Sequence, residues 1–117
     1  MERKYDLEER LIDFAASIIA FTDSMVNSKA GNHLANQLLR SGTSPALNYG
    51  EAQGAESNRD FMHKTSLVLK ELRESYVNLR IIKDGFICTN VEMVDNLIEE
   101  NNQLISIFFT TLKTMRK

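Results

Sequence analysis

The fold is decided by residues 58–83, which read NRDFMHKTSLVLKELRESYVNLRIIK. Within this segment one row of side chains recurs at steps of three and four residues: Phe61, Thr65, Val68, Leu72, Tyr76, Leu79 and Ile82. That spacing is typical of the inner face of an α-helix. Ser57 with Asp60 forms a capping pair at the start of the segment, and Gly85 beyond its end is a suitable C′ residue. The segment is therefore predicted to be one long helix.

The same periodicity continues on both sides of this segment. We predict four helices, over residues 6–26, 30–55, 58–83 and 90–115. Asp6 with Glu9 indicates a capped start for the first helix, and Thr89 with Glu92 completes a Thr-x-x-Glu capping box for the fourth. No strand pattern or sequence repeat competes with these helices.

The second helix contains the one proline of the chain, Pro45. A proline inside a helix removes one backbone donor and clashes with the carbonyl four residues earlier, here that of Ser41, at a cost of about 3 kcal/mol. Because the helical spacing continues beyond Pro45, we expect one kinked helix rather than two pieces. Small residues also recur at every fourth position: Gly42, Ala46, Gly50 and Gly54. They either admit a close neighbouring backbone or simply weaken the helix near its end.

Four long helices joined by short turns predict an all-α protein with the up-down-up-down antiparallel four-helix bundle fold. The chain has 117 residues, of which 43% are apolar and 26% are charged. These values are ordinary for a single soluble domain, so we expect one bundle over residues 1–117. The single cysteine, Cys88, allows no disulfide framework within the chain and favours a reducing, cytoplasmic location. Neither a signal peptide nor a membrane span is expected.

Polar side chains are predicted to form a network between the second and third helices. If these helices are antiparallel about a turn near Ser57, residues whose numbers sum to about 114 face each other. Arg40 then faces Glu74 and can also reach Glu71. By the same rule Ser44 faces Lys70, Asn48 faces Ser66 and Glu51 faces His63. The network would consist of Arg40, Ser44, Asn48, Glu51, Lys70, Glu71 and Glu74, and its alternative is a row of solvated surface charges.

Several motifs on these two helices resemble one known family. They are Gln37-Leu38-Leu39-Arg40-Ser41, Thr43-Ser44, Asn48, Glu51-Ala52, the segment from Ser57 to Phe61, and Leu69-Lys70-Glu71-Leu72-Arg73-Glu74-Ser75. The combination is similar to the four-helix bundle proteins encoded within bacterial 23S rRNA intervening sequences. The resemblance covers the second and third helices closely and extends to the helix lengths of the whole chain.

The resemblance implies a compact, non-enzymatic bacterial bundle that forms homopentameric rings. Members of this family are sometimes called ribosomal proteins. A related branch, the accessory variability determinant of diversity-generating retroelements, is similar in architecture and binds nucleic acid and a reverse transcriptase through a basic surface. This chain departs from the pattern in two ways, through Pro45 and through its net charge of −2.

The first and fourth helices each contain a stretch that is apolar almost all the way round, residues 15–21 and 104–109. A single bundle can bury only one side of such a stretch. We therefore predict burial against other copies of the chain, through Ile19, Phe21, Ile107 and Phe109. The alternative is a thick core with some tolerated exposure.

Charge is uneven along the chain and suggests an alternative function. Residues 1–27 carry six acidic against three basic side chains, a net charge of −3, whereas residues 58–83 carry six basic against three acidic ones, a net charge of +3. The bases expected to point outward could track phosphates as a nucleic-acid-binding surface: Arg59, Lys64, Arg73, Arg80 and Lys83. The alternative is a solvated helix face.

No group of residues indicates catalysis or a cofactor. Asp60 and His63 have the acid-x-x-His spacing of a di-iron bundle, but such a site needs two of these pairs and further acids, so no metal is expected. Arg59 and His63 also suggest a ribonuclease motif of another helical family, although their separation is shorter than usual. We therefore expect a protein that is not an enzyme.

Overall fold

The computed structural model describes residues 6–116 of the chain. Four helices make up this part: α1 (Leu7–Asp23), α2 (Lys29–Gln53), α3 (Asn58–Asp84) and α4 (Val91–Met115). Each predicted bound agrees with the observed one to within three residues, and the prediction of an all-α fold is confirmed. Within residues 6–116 no helix is both long enough and apolar enough to cross a bilayer.

The helix starts are capped by short polar side chains, although not always by the predicted ones. Ser57 accepts a hydrogen bond from the backbone N–H of Asp60 at 3.1 Å, as expected. The cap of α4 is Asn90, which accepts from the N–H of Met93, so the prediction of Thr89 as cap is wrong. The Thr89 hydroxyl instead donates to the carbonyl of Ser24 at 2.9 Å. This bond joins the α1–α2 loop to the α3–α4 loop.

The end of α3 also differs from the prediction. Gly85 has an ordinary φ of −88°, and the left-handed residue is Phe86, with φ of 58°. The N–H of Ile87 donates to the carbonyl of Ile82 at 3.0 Å, and that of Phe86 donates to Lys83 at 3.2 Å. This is a Schellman motif with Phe86 at C′. It turns Ile87 back toward the core, while the Phe86 side chain is 86% exposed.

Each helix packs antiparallel on the next one, and α4 closes the bundle by packing on α1. The antiparallel direction of α2 and α3 follows from two ion pairs, Arg40 with Glu74 and Lys64 with Glu51. At one end of the bundle the two loops are also joined by a backbone bond from Val26 to Ile87. The predicted four-helix bundle fold is confirmed.

The core is a column of apolar side chains contributed by all four helices. Its largest fully buried members are Leu11, Ile18 and Phe21 from α1, Leu38 from α2, Val68, Leu72, Leu79 and Ile82 from α3, and Val94, Leu104, Phe108 and Leu112 from α4. Near the other end of the column, Tyr49 meets Phe108 edge to face, with ring centroids 5.4 Å apart.

Helix α2 runs through Pro45 without interruption, so the alternative of two separate pieces is wrong. The kink at Pro45 stays a prediction. One of the small residues of α2 has a clear packing role, because a Cβ atom on Gly42 would lie 2.8 Å from Cγ1 of Ile18. Gly42 thus lets α1 and α2 approach closely. Gly50 is different, since its Cβ would meet only Oε2 of Glu8, at 3.7 Å.

Candidate functional site

The seam between α2 and α3 carries the ion pairs that antiparallel packing predicts. Arg40 Nη2 lies 2.8 Å from Oε1 of Glu74, and its Nη1 lies 3.0 Å from Oε1 of Glu71. The hydrogen bond to Glu74 and the charge of Glu71 raise the pKa of Arg40 above its usual value. The Arg40 side chain is nevertheless 57% exposed. Solvent screens such a pair, so it contributes about 0–1 kcal/mol to stability.

Other members of the predicted network make different contacts. Glu51 pairs with Lys64, with Nζ and Oε1 2.8 Å apart, while His63 is exposed; the predicted pair of Glu51 and His63 is therefore wrong by one residue. The hydrogen bond to Glu51 raises the pKa of Lys64. The Ser44 hydroxyl donates to the carbonyl of Arg40 at 2.6 Å instead of meeting Lys70. A serine inside a helix commonly bonds to its own backbone in this way.

The partner predicted for Asn48 is also engaged with its own helix. The Ser66 hydroxyl donates to the carbonyl of Met62 at 2.8 Å, and no hydrogen bond joins Asn48 to Ser66 within residues 6–116. Lys70 is exposed on the outer face of α3. The structure thus brings Arg40, Glu71 and Glu74 together and separately pairs Glu51 with Lys64, but it does not join all seven residues into one network.

A second polar cluster is fully inside the bundle, and the sequence patterns did not single it out. The Ser75 hydroxyl donates to the hydroxyl of Ser41 at 3.0 Å, and Nδ2 of Asn78 lies 3.2 Å from the same oxygen. These three side chains are buried between α2 and α3. The sequence did contain a signal for this buried cluster, because Ser41 follows Leu38 by three residues and so lies on the inward-facing row of α2.

Asn101 of α4 is another buried polar residue. With its amide oriented to suit both neighbours, Asn101 donates to the carbonyl of Leu72 at 3.1 Å and accepts from the backbone N–H of Tyr76 at 2.9 Å. The side chain therefore bridges two backbone groups of α3 that are one helical turn apart. Its position on the apolar row of α4, between Leu97 and Leu104, is the signal that could have found it.

Three of the five basic residues proposed for nucleic-acid binding are paired with acids of the same chain. Lys64 pairs with Glu51, Arg80 lies 3.6 Å from Asp84, and Lys83 Nζ lies 2.6 Å from Oδ1 of Asp95. A phosphate would have to displace these carboxylates. The two others, Arg59 and Arg73, are exposed and have no ion pair within residues 6–116.

The residues predicted to face other copies of the chain divide into two groups. Ile19 and Phe109 are each 49% exposed, and Ile107 is half-buried. Phe21, in contrast, is 0% exposed and belongs to the core, so its assignment to an oligomer interface is wrong. The reason is helical geometry: Phe21 follows Ile18 by three residues and shares its inward face.

Two outer surfaces combine exposed apolar and charged side chains. The first, here called the α1 stripe, consists of Glu9, Ile12, Ala16, Ile19 and Asp23, all exposed. The second, here called the α3 groove, has a volume of about 810 Å³ and runs along the outer face of α3 between α2 and α4. Its apolar lining includes Leu69, Val77, Ile81 and Phe109, and its basic lining is Arg40, Lys70, Arg73 and Arg116.

Comparison with known proteins places the chain in a family. The model of the 23S rRNA-intervening sequence protein matches residues 3–109. The chain belongs to this family. The resemblance found in the motifs of the second and third helices is thereby confirmed.

A solved structure supports the assignment of the chain to the 23S rRNA-intervening sequence protein family. It is the crystal structure of a protein of unknown function from the S23 ribosomal protein family of Bacteroides thetaiotaomicron, with 27% sequence identity and a TM-score of 0.81. The match covers 92% of this chain and 99% of that one. None of the curated proteins matches the chain.

The described part of this family member offers no metal centre. Within residues 6–116 no three His, Cys, Asp or Glu side chains are grouped so that they could hold an ion. Cys88 is half-buried in the α3–α4 loop. Among the described residues, the α1 stripe and the α3 groove are the two surfaces on which exposed apolar and charged side chains lie together.

Proposed function

We propose that this member of the 23S rRNA-intervening sequence protein family is a non-enzymatic structural protein whose copies assemble into a ring and act as a scaffold. The observation that supports this proposal is the exposure of large apolar side chains on the outside of the bundle, above all Ile12 and Ile19 on α1 and Phe109 on α4. Burying the exposed half of such a side chain contributes about 1 kcal/mol. Several of them together supply a driving force for association.

The positions of these side chains also favour a ring over a simple pair. The α1 stripe lies on α1 and the α3 groove is centred on α3, and these two helices do not contact each other within residues 6–116. Two different surfaces on one subunit suit head-to-tail contacts, which close into a ring when the rotation between neighbours allows it. The resemblance that implies a pentamer gives the expected number of copies as five.

The alternative function, nucleic-acid binding through α3, has no comparable support. Its basic side chains are largely paired, through Lys64 with Glu51, Lys83 with Asp95 and Arg80 with Asp84. The chain as a whole has a net charge of −2. We therefore do not assign a nucleic-acid partner to the basic face of α3.

Sedimentation equilibrium at micromolar concentration tests the proposed assembly. One chain has a mass of 13.3 kDa, so five chains have a mass of about 66 kDa. A mass near this value, unchanged over a tenfold dilution, is the expected result. A mass of one chain at micromolar concentration would contradict the proposal. Retention of RNA on the protein at low salt, without any assembly, would favour the alternative instead.

A further inference from the structure

We propose that the α1 stripe of one copy docks into the α3 groove of the next copy. This inference rests on the proposed self-assembly and names the two surfaces that would form each contact. The partner is therefore a second copy of the same chain, bound head to tail. The chemistry, level, direction and length of the two surfaces all support this contact.

The α1 stripe has an apolar centre with acidic ends. Ile12 and Ile19 are about half-exposed and stand two turns apart, with exposed Ala16 between them. The small alanine leaves room between the two isoleucines for a side chain from a partner. Glu9 precedes this apolar row and Asp23 follows it, and both carboxylates are exposed. No partner within residues 6–116 covers the two isoleucines.

The α3 groove has the complementary character. Its apolar lining includes Val77, Ile81 and Phe109, each about half-exposed. Its basic lining includes Lys70 and Arg73 of α3, both exposed. A helix with exposed isoleucines and flanking carboxylates would cover the apolar lining, and Glu9 at the start of the stripe would lie about one turn from Lys70. Such complementary charges steer association and select the register of the contact.

The two surfaces lie at the same level along the bundle. Gly42 packs against Ile18 of α1, and its neighbour Ser41 bonds to Ser75 of α3. Ile18 and Ser75 are therefore level with each other. Ile19 is then close to the level of Val77.

Ile12 precedes Ile19 by seven residues and therefore lies at about the level of Leu69, eight residues before Val77. Leu69 lines the groove together with Phe109. A rotation about an axis parallel to the helices keeps every level unchanged. In a ring built on such an axis, each isoleucine of the stripe meets an apolar part of the neighbouring groove.

Direction and length agree with this arrangement. Helices α1 and α3 run the same way within one copy, and rotation about a parallel axis preserves that direction. The docked α1 would therefore lie parallel to α3 and antiparallel to α2 and α4 of its neighbour. From Glu9 to Asp23 the stripe is about 21 Å long, and the α3 side of the groove, from Ser66 to Ile81, is about 22 Å long.

Two substitutions on exposed residues separate the two halves of the contact. Ile19→Glu places a charge in the middle of the stripe, and Val77→Glu does so in the groove. Each variant alone is expected to sediment as a single chain. Mixed in equal amounts, they are expected to form a complex of two chains and nothing larger, because the intact groove of the first variant accepts the intact stripe of the second.

Leu47→Glu is the matched control. Leu47 is an exposed apolar residue of α2 that lies in neither surface, so this variant should assemble as the original chain does. Helix content measured by circular dichroism verifies that each variant is folded. If a glutamate variant is not folded, the charge exchange of Glu9→Lys with Lys70→Glu replaces it. Each single change should weaken association about fivefold, and the two changes in one chain should restore it.

The outcomes distinguish this inference from the proposed function. A single-chain mass for the unmodified protein would contradict self-assembly itself. If the unmodified protein assembles and Val77→Glu assembles equally well, self-assembly stands and the docking inference is wrong. The inference is also wrong if both variants are single chains that do not combine on mixing, because the intact groove of one variant then does not accept the intact stripe of the other.

Discussion

Alanine in place of Gly42 is expected to destabilise the bundle. The added Cβ would lie 2.8 Å and 2.9 Å from the Cγ1 and Cγ2 atoms of Ile18. Both residues are buried and Ile18 is stiff at χ1, so relief requires α1 to move away from α2. Overpacking of this kind costs about 1–3 kcal/mol, partly offset by about 0.5–1 kcal/mol from the better helix propensity of alanine. The expected net loss is about 1–2 kcal/mol.

Gly50→Ala is the control, because it makes the same change in the same helix two turns later. Its Cβ would meet only the flexible end of Glu8, at 3.7 Å, which is an ordinary contact. The propensity gain is then unopposed, and we expect stabilisation by about 0.5–1 kcal/mol. The two variants therefore move stability in opposite directions.

Urea denaturation followed by circular dichroism measures both effects. All proteins must be compared at one concentration, since association stabilises the folded state by mass action. A net loss of about 1–2 kcal/mol for Gly42→Ala corresponds to a midpoint shift of about 0.5–1 M if the denaturant slope is about 2 kcal/mol/M. If Gly42→Ala is as stable as Gly50→Ala, the close approach of α1 and α2 at this point does not limit the packing.

Four further substitutions give expected outcomes in the same denaturation assay. Thr65→Val should stabilise by about 1 kcal/mol, because this buried hydroxyl has no hydrogen-bond partner within residues 6–116. Asn101→Ala should destabilise by about 2 kcal/mol, since it removes two hydrogen bonds to the backbone of α3. Phe86→Gly should stabilise by about 1 kcal/mol by relieving the left-handed backbone at φ of 58°. Burial raises the pKa of Tyr49, and the nearby acids Asp6 and Glu8 add to the effect. A raised pKa contributes stability that is present below pH about 10 and is lost as the pH rises further. Tyr49→Phe should therefore be about as stable as the original chain at about pH 7 and more stable than it at about pH 11.

The helices could be predicted because their periodicity is strong, whereas their ends depended on tertiary contacts. Thr89 and Asn90 are both good capping residues, so sequence preference did not decide between them. The Thr89 hydroxyl donates to the carbonyl of Ser24 and so joins two loops. It is therefore not the cap of α4, and Asn90 caps the helix instead. At the end of α3 the preference for glycine at C′ was overridden in the same way, because the Schellman motif places Phe86 there.

The candidate surfaces were predictable only in part. A constant sum of residue numbers places Arg40 opposite Glu74, but it cannot separate His63 from its neighbour Lys64 as the partner of Glu51. The apolar stretch 15–21 correctly indicated that α1 has exposed apolar residues. It did not show which residues they are, and Phe21 was misplaced for that reason. The α3 groove combines residues from three helices and has no local signature in the sequence.

The seam of ion pairs between α2 and α3 acts on register more than on stability. Sliding α3 by one turn in one direction would bring Arg40 opposite Leu67 and Lys70 instead of Glu71 and Glu74, placing two like charges together. Sliding it in the other direction would offer only the neutral side chains of Ser75 and Asn78, and it would also break the buried bond between Ser41 and Ser75. The apolar row of α3 alone discriminates less well, because one turn after Val68 it again presents an aliphatic residue, Leu72, and one turn after Leu79 it presents Ile82. The exposed charges and the buried hydroxyls thus penalise the same wrong alignments, which makes one arrangement of the two helices preferred even though each exposed pair contributes little by itself.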